Sequence, residues 1–242
     1  MEIINWILLK LQGFSDVFLI LAIIILLEVI LPARRFSAKQ TYIRLTQGIF
    51  YLFVSLLLVW PIVDLFKEQI FELRHLLPFS DHKFVIDFGS GAGLLEWFFV
   101  TVVFWVWWDF FQYWTHRLVH TKSFYFLHKH HHNVELDVFA SFRHSPLELI
   151  FIHLTIAVPS ALYFGVVYPD LGYDIQNLAI TFMVLIQHSN IRFGTKLGKF
   201  FITPQIHRIH HSQHPHHWNH NFSQYFTLWD RVFKTYYFPP QR

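Results

Sequence analysis

The chain has no cysteine among its 242 residues. That excludes a disulfide framework, thiolate metal sites and a cysteine nucleophile, and leaves the cellular compartment open. Charge is scarce too: Asp, Glu, Lys and Arg make up 14% of the sequence, against about 25% in an ordinary soluble domain. The apolar stretch over residues 2–11 has no basic leader and no small-residue cleavage site, so it reads as an interfacial helix, not a removable signal peptide. The run GSGAG at residues 89–93 is followed by no lysine and flanked by no strand-like core, which makes it a turn and not a phosphate loop. No flavin, haem or nicotinamide signature is evident. The net charge of +3 is too small a surplus to point to nucleic acid and suits loops at an anionic lipid surface.

Apolar and aromatic residues are plentiful instead, at 54% and 20%. With several long apolar runs, this predicts an all-α integral membrane protein of one compact domain. Four to five transmembrane helices are expected, at residues 14–31, 43–66, 94–114, 147–168 and 174–186. Pro61 should kink the second, and residues 169–172 read as a tight turn before the fifth. Residues 1–93 form N-terminal membrane helices with an external connection, and 94–242 the region carrying the chemistry. Glu28, a turn from the basic end of the first span, reads as a carboxylate reaching the interface. Arg34, Arg35, Lys39 and Arg44 place the first loop in the cytoplasm. Counting forward, residues 67–93 are external, and the third and fifth spans deliver His116 and His188 to the cytoplasmic side. The basic tail from Lys196 to Arg242 fits that side as well.

Histidine is the other abundant residue, with eighteen copies. His116 and His120 stand four apart, one helical turn from each other. His128, His131 and His132 have i, i+3, i+4 spacing, repeated once at His207, His210 and His211. Imidazole is the commonest protein ligand for transition metals, and a helix with ligands at i, i+4 grips an ion from one side. Eight histidines in this arrangement exceed the needs of one metal and point to two, gathered with His188 at one membrane surface. Two divalent ions held by neutral rings need carboxylates accepting the outward ring N–H groups. Asp109, Asp137, Glu148 and Asp230 are the candidates, with Asn221 a further polar one. His130 points off the cluster face; His214, His216, His217 and His220 form a proline-interrupted run with exposed or accessory roles. His75, His82 and His153 receive no role.

The runs DFFQYWTHRLVH, HKHHH and LDVFASFRHSPLE, followed by QHSNIRFG, TPQIHRIHHSQHP and NFSQYFTLWDRVFKTY, resemble the fatty acid hydroxylase/sterol desaturase superfamily over roughly residues 95–240. LEVILPARR is a looser echo. The resemblance implies a di-iron, O2-dependent enzyme acting on a lipid C–H bond, with a histidine-rich helical cap on the cytoplasmic face of a bacterial inner membrane. Its two iron ions would be held by His116, His120, His128, His131, His132, His188, His207, His210 and His211. Its partners would be a lipid substrate such as a sterol, fatty acyl chain, carotenoid or ether lipid, and an external ferredoxin- or cytochrome-type electron donor. Two positions depart from the family pattern. Ser145 stands where histidine normally precedes the proline, with His144 one residue early and not expected to bind metal. Ser223 and Lys234 replace familiar glycines and should alter local backbone, not metal binding.

Two other classes fit a histidine-rich membrane protein. A zinc-dependent hydrolase or isomerase acting on a lipid would use bound water as nucleophile. A metal transporter would carry its ionisable residues inside the spans along a path, whereas these gather at one face.

Overall fold

The structure, a computed structural model, describes residues 15–72, 84–87, 94–167, 170–193 and 196–238. The 2–11 helix, the GSGAG turn, His75, His82 and Arg242 lie outside the described residues. The expected spans overlap helices α1 (Ser15–Ile30), α2 (Ala38–Val54) running into α3 (Trp60–Glu72), α4 (Leu94–Val119), α6 (Pro146–Tyr163) and α7 (Asp170–His188), with α6 ending five residues short of the fourth span's expected bound. The shorter helices α5 (Tyr125–His132), α8 (Pro204–His210) and α9 (Leu228–Val232) carry the polar part. Two four-residue strands, β1 (Phe84–Asp87) and β2 (Phe164–Val167), pair in parallel. Residues 170–172, expected as a turn, open α7 instead; an acidic residue suits the positive start of a helix.

Local chemistry explains the helix ends. Ser37 and Gln40 form a reciprocal capping box that starts α2. Pro61 has no N–H for the carbonyl four residues back and crowds it. The chain absorbs this as a π-helical turn, Ser55–Val59, just before the proline. From Ala38 to Val63 runs a 26-residue helix long and apolar enough to cross a membrane, with an 18-residue stretch at mean hydropathy 1.8. Its outer face leaves Phe50, Phe53 and Leu58 more than half exposed, as α1 does Leu19 and Val29. A contiguous apolar exterior of this kind is consistent with a lipid surrounding.

The inner faces meet in one core. Ile20 and Ile24 of α1 pack with Val138, Leu185, Ile186 and Ile191. Glu28 belongs to this junction and does not reach for an interface: its carboxylate accepts the backbone N–H of Val138 at 2.8 Å and of Asn190 at 2.6 Å. It thus ties α1 to the start of the turn at Val138 and to the chain just after His188. Arg44 is likewise no free loop charge. It is buried in α2, 2.7 Å from Asp137 and over the ring of Phe36. Asp137 in turn caps the 3₁₀ turn Val138–Phe142 by accepting the N–H groups of Phe139 and Ala140.

Gly48 is where α2 comes closest to that turn. A Cβ on it would stand 2.6 Å from Cβ of Phe139. Gly48→Ala should therefore cost about 1–3 kcal/mol by overpacking, despite alanine's better helix propensity. A fall in thermal unfolding temperature of the detergent-solubilised variant is the expected readout; an unchanged or higher temperature would show that the helices can part.

Candidate metal centre

Nine histidines converge in two adjoining groups. His116, His120, His128, His132 and His210 form one, and His131, His188, His207 and His211 the other; within each, one ring nitrogen per residue lies within 4.8 Å of the rest. The duplicated i, i+3, i+4 pattern explains this division in a way its one-face reading did not anticipate. On α5, His128 and His132 serve the first group while His131 crosses to the second. On α8 and its C-cap, His207 and His211 serve the second while His210 crosses to the first. Each motif thus gives its i, i+4 pair to one group and its odd member to the other. His116 and His120 at the end of α4 complete the first, and His188 at the end of α7 the second. The rings of His132 and His211 stack across the boundary with centroids 4.3 Å apart.

Hydrogen bonds on the far sides of the rings fix which nitrogens face inward. His116 Nδ1 lies 2.8 Å from the carbonyl of Phe222, and His128 Nδ1 contacts the Glu148 carboxylate. Carbonyl and carboxylate only accept, so in both rings Nδ1 carries the proton and Nε2 carries a lone pair. Those two Nε2 atoms face each other at 3.1 Å, an arrangement that repels unless a cation or a proton stands between them. The second group repeats it. His188 donates Nδ1–H to the Val184 carbonyl at 2.8 Å, and its Nε2 lies 3.2 Å from that of His131 and 3.0 Å from that of His207. His207 and His211 Nε2 are 3.1 Å apart. Nitrogens about 2.1 Å from one shared ion sit about 3.0–3.4 Å from each other, so the spacing suits one ion per group. Nε2 of His120, His132 and His210 is buried without a hydrogen-bond partner among the described residues, as a ligand atom awaiting an ion would be.

Electrostatics agree. Burial first, then the neighbouring imidazoles, holds His131, His132, His207 and His211 well below the usual histidine range, and burial lowers His210 to about 3. Metal binding needs the neutral ring, and the site enforces it. Imidazole suits iron, zinc, copper and nickel, so the donor set does not name the metal.

The polar candidates divide into two kinds. Glu148 touches a cluster histidine directly. Ser145 caps α6, its hydroxyl accepting the N–H of Glu148 at 3.2 Å, with Pro146 in the first turn. The cap aims Glu148 back at His128, while His144 Nδ1 lies 2.9 Å from the same oxygen and its ring stacks on His131. The serine in the unusual position is thus a helix cap, and His144 contacts the acid outside both groups. The other carboxylates act through the backbone. Asp230 accepts the N–H of Phe222 and Ser223 at 2.8 and 3.0 Å and the Thr235 hydroxyl at 2.7 Å. Asp109 accepts the N–H of Gln224, Tyr225 and Phe226. Together they clamp the segment whose Phe222 carbonyl orients His116. Asn221, at φ 59, pairs with both backbone groups of Tyr237. Asp137 serves Arg44 and the 3₁₀ turn.

Backbone acceptors were invisible to side-chain reasoning. The carbonyls of Phe222, Val184 and His220 hold His116, His188 and His210, the last at 2.8 Å. His214 and His216 are exposed, and His220 contributes its carbonyl, not its ring. His153 packs on Trp60 and His130 on Tyr51, outside both groups. Lys234 does adopt the left-handed conformation a glycine would favour, φ 59, whereas Ser223 does not.

Comparison with known proteins covers this same region. A model of the fatty acid hydroxylase family matches residues 101–235. C-4 methylsterol oxidase of Schizosaccharomyces pombe is 35% identical over 135 residues, 52% of this chain and 43% of that protein. Human lathosterol oxidase is 31% identical over 143 residues, 58% of this chain and 46% of the relative. Alkylglycerol monooxygenase of Caenorhabditis elegans is 27% identical over 130 residues, 53% of this chain but 25% of its own length. The chain thus spans between a quarter and a half of these three relatives. No solved structure gives a significant match. The matched residues include every histidine of both groups, and the chain belongs to the fatty acid hydroxylase family, within the fatty acid hydroxylase/sterol desaturase superfamily.

Proposed function

We propose that this protein is a membrane-bound, O2-dependent oxidoreductase that hydroxylates or desaturates a C–H bond of a lipid, using two iron ions held by the nine histidines. One observation carries the reading: two adjoining buried groups of five and four imidazoles whose lone pairs converge at ion-sized spacing. Paired metal sites serve hydrolysis as well as oxygen chemistry, so the geometry supports the two ions and the choice between the chemistries rests on the relatives. The names of the relatives, sterol oxidases and an alkylglycerol monooxygenase, favour redox chemistry.

Iron, when bound, would supply the O2 chemistry. The chain's own part is to set the rings of His128, His116, His188 and His210 in one tautomer and orientation, through Glu148 and the carbonyls of Phe222, Val184 and His220. It also keeps the rings neutral by burial and excludes water from the reacting carbon. Electrons would come from a separate ferredoxin- or cytochrome-type protein. A sterol, fatty acyl chain, carotenoid or ether lipid would reach the site from the bilayer. The basic residues of the loop after the first helix and of the C-terminal segment, Arg34, Arg35, Lys196 and Lys199 among them, favour a cytoplasmic placement in a bacterial inner membrane.

Lipid extracts of cells with and without the protein test this. A species gaining one oxygen, or losing two hydrogens, should accumulate only with the protein, O2 and a reductant. Identical extracts under all conditions, with the protein metal-loaded, would overturn the proposal.

A further inference from the structure

The two histidine groups differ on their far sides, away from the converging nitrogens. In the five-histidine group, three rings have an outward partner: His116 on the Phe222 carbonyl, His128 on Glu148 and His210 on the His220 carbonyl. Two of these acceptors are themselves braced. The Phe222 peptide is held by Asp230 through its N–H, and Glu148 by the N–H of Ser145. In the four-histidine group, among the described residues, only His188 is fixed this way, to a carbonyl of its own helix. Nδ1 of His131, His207 and His211 is buried without a hydrogen-bond partner among the described residues. Gln187, next in the chain to His188, is fully buried with neither amide atom paired among them.

Outward acceptors fix the tautomer and orientation of a ligating ring and raise its basicity, and losing one typically weakens metal affinity about 10–100-fold. Three unpaired N–H groups leave their rings less firmly set and their nitrogens poorer donors. The first group also offers one more nitrogen. We infer that the two groups bind metal unequally: His116, His120, His128, His132 and His210 form a tight resident site, and His131, His188, His207 and His211 a labile one that exchanges its ion. The inference rests on the two-ion reading above.

Release of zinc from the full-length, zinc-loaded protein into excess chelator, followed with a metal-sensitive dye, tests it. Wild type should give two phases of about one equivalent each, separated at least ~10-fold in rate. Glu148→Gln should accelerate the slow phase about 10–100-fold and leave the fast one unchanged; Glu148→Asp, which keeps the charge but withdraws it, gives the same test with less disturbance. His207→Gln should remove the fast equivalent and spare the slow one. Two equivalents leaving wild type in a single phase would overturn the inequality and leave the two-ion reading standing. A fast phase that responds to Glu148 variants, or a slow phase lost in His207→Gln, would reverse the assignment and so overturn it. Fewer than two equivalents in wild type would overturn both.

Discussion

Replacing His131 or His210 by alanine should each lower the bound metal of the purified protein from about two ions per chain toward about one, with lipid-product formation falling at least ~100-fold in both. The two residues are the crossing members of the repeated motif, each standing on a helix whose other histidines serve the opposite group. Loss of His210 takes one of five nitrogens, with the only ring that α8 lends to the first group. Loss of His131 takes one of four, and with it the contacts to His188 and the stack on His144. Each truncation also leaves a small buried void, but void formation alone would lower stability without changing stoichiometry. Metal analysis of monodisperse, gently solubilised protein therefore reads ligation specifically. Full metal content in both variants would exclude these nine residues as the ligand set.

Acidification should be the second large effect. In the folded chain, burial holds His131, His132, His207 and His211 well below the usual histidine range and His210 at about 3, whereas an unfolded chain titrates them near 6.5. Folded pKa values below unfolded ones mean that the unfolded state binds more protons at intermediate pH. Stability is then fully present above about pH 6.5 and falls as pH drops below it. Each such histidine contributes a slope of about 1.4 kcal/mol per pH unit, and bound metal, competing with the same protons, steepens the loss. Thermal unfolding should be nearly flat from pH 8 to about 7, then fall steeply toward pH 5 as metal is released. A midpoint that rose or held steady on acidification would mean that the rings are not kept neutral by the fold.

Much of this was legible because periodicity encodes proximity. Histidines four apart on a helix must share a face, so the pairs His116/His120, His128/His132 and His207/His211 could be read directly. His131 and His210 were legible as members but not by group, because an i+3 residue is turned away from the i, i+4 line just enough to face a neighbouring ion. The positions of apolar runs located the helices, and Pro61 signalled the disturbed turn, although its relief by a π turn upstream depends on packing. Glu28 was misread because a carboxylate near a helix end usually finds water. Here two backbone N–H groups from segments more than a hundred residues away in sequence replace that water. The same limit hid the carbonyls of Phe222, Val184 and His220. Every residue has a carbonyl, so nothing in a sequence singles out the ones that orient a ring. Ser145 is the instructive middle case. As a departure from a family histidine it looked like a loss, yet S-P-L-E is a capping box in plain letters, and the cap is what aims Glu148.

The oxygenase function itself is tested most directly by the origin of the new oxygen atom. Cells or membranes containing the protein, supplied with a reductant and isotopically labelled O2, should form a hydroxylated lipid whose added oxygen carries the label. A desaturated product would carry none but should still fail to form without O2. Alanine at His131 abolishes either product whether the chemistry is redox or hydrolytic, so the isotope decides and not the variant. Label in the new hydroxyl is the expected result; oxygen drawn from water, or undiminished turnover under strict anaerobiosis, would contradict it.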